Sequence, residues 1–74
     1  MRLYNDLLEE VEGALMKDQR TRDAIIEVDN HNGIVTLSGV VGSSEIAAAA
    51  EEVASQQNGV IKVVNLLSVK DSAG

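Results

Sequence analysis

Apolar residues in the first part of the chain recur at the three- and four-residue spacing of an amphipathic helix, and acidic residues lie mostly between them. This pattern predicts a helix over residues 4–17, with Asn5 as its N-cap. Gly13 falls inside the helix, where glycine costs roughly 1 kcal/mol relative to alanine. A close approach of the helix backbone to a sheet would explain a glycine there. The apolar positions are Tyr4, Leu7, Leu8, Val11, Ala14 and Leu15.

The polar residues 18–22 are predicted to form a connector, and strict alternation begins after them. Ile26 and Val28 alternate with acidic residues, which is typical of a half-buried strand. Asn32-Gly33 predicts a type I′ hairpin turn, since both central residues of that turn need positive φ. Gly39, within the strand that follows, indicates a bulge or a helix packed close above it. In this second strand we expect one face to carry Val35, Leu37 and Val41 and the other to carry Thr36 and Ser38.

A second helix, rich in alanine, is predicted to follow, with Ser43 or Ser44 as its N-cap and Asn58-Gly59 as its left-handed stop. The last strand is predicted over Val60–Val69. Its period is blurred, because Val63-Val64 and Leu66-Leu67 place apolar residues on both faces. Either this strand is covered on both sides, or one face is exposed for a partner.

The elements follow the order helix, strand, strand, helix, strand. This order predicts an α+β fold, a two-layer sandwich in which a three-stranded mixed sheet carries both helices on one face. We expect the opposite face to be uncovered. The length of 74 residues indicates one domain over residues 1–74, with a core spanning about residues 4–69.

Composition removes several classes of function. The chain has no cysteine and one histidine, which excludes disulfides and thiolate metal sites, and we expect no cofactor and no metal. The net charge of −6 and a single aromatic residue argue against nucleic acid as a partner. No apolar run approaches the ~20 residues of a membrane span. Residues 1–6 do not resemble a signal peptide, so the chain is expected to be cytoplasmic if Met1 is the native start, or a domain excised from a longer precursor.

Two motifs together resemble the BON domain, a bacterial module named for osmotically inducible periplasmic proteins and nodulation proteins. The hairpin strand from Gly33 to Ser43 reads G-x-V-x-L-x-G-x-V-x-S. The closing strand matches G-V-x-x-V-x-N-x-L-x-V at Gly59, Val60, Val63, Asn65, Leu67 and Val69. The resemblance covers nearly the whole chain. It implies a non-catalytic binding module of the periplasm or cell envelope that contacts phospholipid membranes or other envelope components.

Half of the chain's six basic residues lie within six positions, at Lys17, Arg20 and Arg22. One interpretation makes them a contact for lipid phosphates, worth ~1 kcal/mol each near an anionic surface. The other is that they balance the helix dipole and the neighbouring Asp18 and Asp23. The segment from Asp29 to Gly33 superficially resembles a cation-binding loop, but it lacks the ligand spacing of such a loop and is better explained as a hairpin turn. His31 in this turn is expected to be solvated.

The last strand supplies the remaining candidates. Val64 and Leu66 form either an exposed apolar patch that binds a partner or ordinary crowding around a small core. Asn65, a polar residue in an apolar strand, is expected to bond to neighbouring backbone and to fix the register or a bulge, with a ligand-binding amide as the alternative. No nucleophile and base can be paired, so no enzyme is predicted.

Two functions follow from these candidates. The first is a module that docks to a phospholipid membrane surface or an envelope component through Lys17, Arg20 and Arg22. The second is a protein-interaction or oligomerisation domain that uses the exposed sheet face and the last strand, with weak self-association.

Overall fold

The computed structural model describes residues 6–70, which fold into two helices and three strands. Helix α1 begins at Asp6, so Tyr4 and the predicted cap Asn5 lie outside the described residues. The helix ends at Lys17, as the spacing predicted. The bounds of the elements are α1 Asp6–Lys17, β1 Glu27–His31, β2 Ile34–Val41, α2 Ser44–Ser55 and β3 Lys62–Val69.

The three strands form one sheet in the order β1-β2-β3. Strands β1 and β2 are antiparallel, with Val28 opposite Leu37, and β2 and β3 are parallel, with Leu37 opposite Asn65. Helix α1 packs on β1, helix α2 packs on β2 and β3, and the two helices contact each other. The predicted α+β fold, with its mixed three-stranded sheet, is therefore confirmed.

The core lies between the helices and the sheet. Val11 of α1 belongs to one buried cluster with Val35 and Leu37 of β2, and all three side chains have no exposed surface. Burial alternates along β2, which confirms that Val35, Leu37 and Val41 share the covered face. The rest of the buried cluster is contributed by Leu15, Ala50, Val53 and Ala54.

The turns that shape the sheet follow local sequence chemistry. Asn32 and Gly33 have φ values of 54° and 91°, as the predicted hairpin turn requires, and the side chain of Asn30 accepts the backbone N–H of Gly33 at 3.0 Å. Ser43 caps α2 by accepting the N–H of Ile46. The helix stop differs from the prediction, because a right-handed C-cap at Gln56 ends α2 before Asn58-Gly59. Gly59 supplies its left-handed residue, with φ 97°, in the following turn.

At two glycines, Gly13 and Gly39, the surrounding atoms differ from those that the sequence predicted. The prediction that Gly13 permits a close approach to the sheet is wrong, because a Cβ at this position would have nothing within 4 Å. At Gly39 the register with β3 continues without interruption, so there is no bulge. The close neighbour of Gly39 is the carbonyl oxygen of Ile25, 2.9 Å from the position of a Cβ, and not a helix. The absence of a side chain at Gly39 therefore lets the backbone before β1 pass close to β2.

Candidate functional site

The predicted connector after α1 is a series of turns, and one buried residue, Thr21, bonds it to the end of the helix. Thr21 is 1% exposed, and its hydroxyl donates to the carbonyl oxygen of Leu15 at 2.6 Å. Leu15 lies in the last turn of α1, where carbonyls lack helical partners, so this bond caps the helix. The backbone N–H groups of Thr21 and Arg22 both donate to the carbonyl of Asp18. Reasoning from the sequence missed Thr21, since a threonine in a polar stretch does not reveal that it is buried.

Arg20 is balanced by two carboxylates. It forms ion pairs with Asp18 at 3.0 Å and with Glu52 of α2 at 3.3 Å. The side-chain hydrogen bond from Arg20 holds the pKa of the Asp18 carboxyl below its usual range, and the backbone N–H of Arg20 acts in the same direction. The bond to Asp18, followed by the bond to Glu52, raises the pKa of Arg20. Arg20 thus ties the turn to α2, as expected if the basic residues balance neighbouring acids.

The other two basic residues of this segment, Lys17 and Arg22, are exposed. Among the residues that the structure describes, neither forms an ion pair. Two large apolar side chains in the same stretch of sequence are also exposed, Met16 at 73% and Ile25 at 86%. We call this set of residues, Met16, Lys17, Arg20, Arg22 and Ile25, the basic end of the molecule.

Arg20 and Ile25 of the basic end lie at the carboxyl end of β2, whereas Lys17 lines an open cavity with Gln56, Gln57 and Asn58, which follow α2. A cavity of about 480 Å³ is lined by Arg20 and Ile25 together with Val40 and Val41 at the end of β2, and β3 runs parallel to β2. A further open cavity, of about 270 Å³, separates the last turns of α1 from β1. It is lined by Glu12, Leu15, Met16, Thr21, Ala24, Ile26 and Val28. The basic end therefore combines cationic groups with uncovered apolar surface.

The face of the sheet opposite the helices is the second candidate surface, which we call the open face. Leu66 lies on it at 60% exposure beside the half-buried Val64, and Val40 of β2 is 61% exposed. Val63 and Leu67, by contrast, pack against the core. The blurred period of β3 thus has one covered face and one exposed face. Polar residues on β1, Glu27, Asp29 and His31, lie along one side of the open face.

Asn65 has the backbone role that its position indicated. Its Nδ2 donates to the carbonyl of Ala47 at 3.0 Å and to Glu51 at 3.1 Å, and its Oδ1 accepts the N–H of Leu67 at 3.0 Å. These bonds join the middle of β3 to α2. The amide is therefore engaged within the fold.

Within residues 6–70, no group of three or more His, Asp or Glu side chains is placed to hold a metal ion. The segment from Asp29 to Gly33 is the end of β1 and the hairpin turn, with His31 exposed at the end of the strand. No helix in this part of the chain is long and apolar enough to cross a membrane.

Comparison with curated proteins finds no match to this chain. The sequence model of the BON domain matches residues 5–71. That match takes in all five secondary-structure elements and both motifs on which the resemblance was based. The protein therefore belongs to the BON domain family.

Proposed function

We propose that this chain is a non-catalytic binding module of the periplasm or cell envelope that docks onto an anionic phospholipid surface through its basic end. BON domains are non-enzymatic modules associated with the periplasm and envelope. The observation that supports the lipid surface most directly is the exposure of Ile25 and Met16, which lie close in sequence to the exposed Lys17 and Arg22. Apolar side chains next to cationic groups are the pairing that an anionic bilayer surface binds.

The two kinds of contact contribute unequally. Fully burying an apolar side chain of this size contributes about 1.5–3 kcal/mol, so Ile25 and Met16 together provide roughly 3–4 kcal/mol when they enter the interface. Lys17 and Arg22 add about 1 kcal/mol each near anionic lipid. Arg20 adds less, because Asp18 and Glu52 already balance it. Binding is therefore weak, mainly apolar and only moderately sensitive to salt.

The test is a titration of isotope-labelled protein with bicelles rich in phosphatidylglycerol or made of phosphatidylcholine, followed by backbone amide signals. We expect perturbations at Met16–Ile25 with the anionic bicelles, and the same perturbations with the zwitterionic ones only at roughly 30-fold higher lipid concentration, because the apolar contacts remain when the charge attraction of about 2 kcal/mol is lost. Ile25→Ser is expected to weaken binding about tenfold or more, whereas Ile61→Ser is expected to have no effect. Ile61 is a matched control because it is 78% exposed and lies beside Gly33 at the opposite end of the strands.

Charge is tested separately with matched variants. Lys17→Gln with Arg22→Gln is expected to weaken binding to the anionic bicelles, and Lys62→Gln, at the other end of the sheet, is expected to leave it unchanged. Unperturbed amides at the basic end with both lipids would overturn the proposal. Equal perturbation by both lipids would show that the basic residues do not select the surface.

The open face favours a second candidate, a protein-interaction domain. The exposure of Leu66 beside Val64, on a strand at the margin of the sheet, is the observation behind it. The two surfaces adjoin at Val40 but are centred on different residues, so one function does not exclude the other.

A further inference from the structure

The outer edge of β3 presents backbone groups that point away from β2, in a regular order. The N–H of Lys62 donates to the carbonyl of Gly33, just before β2, at 3.4 Å, and the N–H of Lys70 donates to the carbonyl of Val41 in β2 at 2.7 Å. Backbone groups alternate in direction along a strand, so those of the even-numbered residues face β2. The N–H and C=O groups of Val63, Asn65 and Leu67 therefore point away from the sheet. Among residues 6–70, no strand pairs with this edge.

This edge lacks most of the features that keep edge strands from pairing. Charged residues, proline and bulges commonly protect an edge. Strand β3 has eight residues, with one charged residue, Lys62, at its start, no proline and an uninterrupted register. It also carries no acidic residue, although the chain as a whole has a net charge of −6. The edge is therefore open to a further strand.

We propose that the partner of this edge is a second copy of the chain, with the two β3 strands paired antiparallel about Asn65 into a six-stranded sheet. The outward groups belong to odd-numbered residues, so odd residues must pair with odd ones. Centring on Asn65 places Val64 opposite Leu66 of the second copy on the open face, and Lys62 opposite a serine, Ser68. Apolar residues then face apolar residues.

Neighbouring registers are less complementary. Moving the centre to Leu66 places Lys62 opposite Lys70 of the second copy, and like charges directly opposite each other destabilise a strand pair. Moving it to Val64 places Lys62 opposite Leu66 and leaves that leucine without an apolar residue directly opposite it. The register centred on Asn65 avoids both mismatches.

The helices fit the same arrangement. Helix α2 packs on both β2 and β3, so the two α2 helices of the pair lie about 10 Å apart, two strand spacings of ~4.8 Å. Packed helices lie ~8–10 Å apart. Ala48 is exposed on α2 and small enough for that approach. Glu51 is held against Asn65, so the pairing brings two Glu51 carboxylates together near the symmetry axis, where they repel.

Two features make the association weak. In the single chain the outward N–H of Leu67 donates to Asn65, and this bond must be exchanged for one to Val63 of the second copy. The strand is ~27 Å long and the two layers are roughly 16 Å deep, so each copy buries on the order of 400–450 Å². The total lies below the ~1,200–2,000 Å² of stable complexes, so we expect dissociation constants of about 0.1–1 mM.

The pairing is tested by sedimentation equilibrium at protein concentrations from about 10 µM to about 1 mM, because this range spans most of the expected dissociation constants. The wild-type mass is expected to rise above that of the monomer. Leu66→Lys is expected to weaken dimerisation about tenfold, and Val40→Lys to leave it unchanged, because Val40 is equally exposed on the open face but lies on the central strand. Glu51→Gln is expected to strengthen it about fivefold by removing the repulsion.

The register is tested by exchanging the apolar pair for an ionic one. The double variant Val64→Glu with Leu66→Lys is expected to regain the association that Leu66→Lys loses, because each introduced carboxylate then faces an introduced ammonium across the axis. Amide hydrogen exchange provides a second readout. Exchange at Val63 and Leu67 is expected to slow as the protein concentration rises.

Several results would overturn the inference. A monomer at 1 mM for both the wild type and Glu51→Gln would exclude the pairing. Equal loss in Leu66→Lys and Val40→Lys would indicate that the open faces stack and the edges do not pair. A dimeric wild type with a monomeric double variant would exclude the register centred on Asn65. These readouts use no lipid, so they stand or fall independently of the proposed membrane function.

Discussion

Replacing Gly13 with alanine is expected to stabilise the protein. Gly13 lies in the middle of α1, its φ is not positive, and a Cβ there would have nothing within 4 Å. The methyl group therefore neither clashes nor gains a contact, and the effect comes from the backbone freedom that glycine loses on folding. That difference is about 0.5–1 kcal/mol. For a domain of this size it raises the melting temperature by about 3–6 °C.

The assay is urea denaturation followed by far-UV circular dichroism, with thermal melts as a second measure. The midpoint is expected to rise while the slope m stays constant. Gly39→Ala is the contrasting control, because its Cβ would lie 2.9 Å from the carbonyl oxygen of Ile25 at a φ of 130°. We expect it to lose about 2 kcal/mol or more. A less stable Gly13→Ala would refute the reasoning and would indicate that α1 contacts something at this position.

Three further changes test the bonds that organise the site. Thr21→Val is expected to lower the free energy of unfolding by about 1–2 kcal/mol in urea titrations, since the carbonyl of Leu15 loses its donor, whereas Thr21→Ser keeps the hydroxyl and is expected to lose less. Asn65→Asp is expected to lower it by about 2 kcal/mol in thermal melts, because Ala47 loses a donor and a second carboxylate meets Glu51. The pKa of Asp18 is lowered in the folded state, so its pairing stabilises above the unfolded-state pKa near 3.8 and is lost as pH falls through the folded value. Asp18→Asn is therefore expected to be destabilising in urea titrations at pH 7 and less so at pH 2, and an equal effect at both would contradict the pairing.

Local chemistry made most of the fold predictable. Asn32-Gly33 has few conformations other than the tight turn that the structure shows, and Ser43 has the side chain that a helix N-terminus needs. The same argument failed at the end of α2, because Asn58-Gly59 was taken as the stop although Gln56 already ends the helix. Left-handed residues mark turns, and the distance between the turn and the helix end depends on packing.

The site was less predictable because its properties arise between segments that are distant in sequence. Arg20 follows Asp18 closely, so that pair was foreseeable, but its bond to Glu52 joins positions 32 residues apart. Thr21 is buried where its hydroxyl donates to the carbonyl of Leu15, six residues earlier, and Ile25 is exposed although the adjacent Ile26 packs against the core. None of these outcomes is visible in the spacing of apolar residues.

The two proposed surfaces, the basic end and the edge of β3, have a joint consequence. Antiparallel pairing of β3 sends the carboxyl ends of the two strands in opposite directions, so the basic ends of a pair point away from each other. A flat bilayer then contacts one basic end at a time, and a dimer bridges two vesicles without gaining avidity on one. Vesicles rich in phosphatidylglycerol are therefore expected to aggregate in turbidity measurements with the wild-type protein at high concentration. Leu66→Lys is expected to bind the same vesicles with undiminished affinity and to leave them dispersed, whereas Ile25→Ser is expected to lose both binding and aggregation. Strong binding of Leu66→Lys with aggregation intact would show that the edge of β3 does not join the two copies.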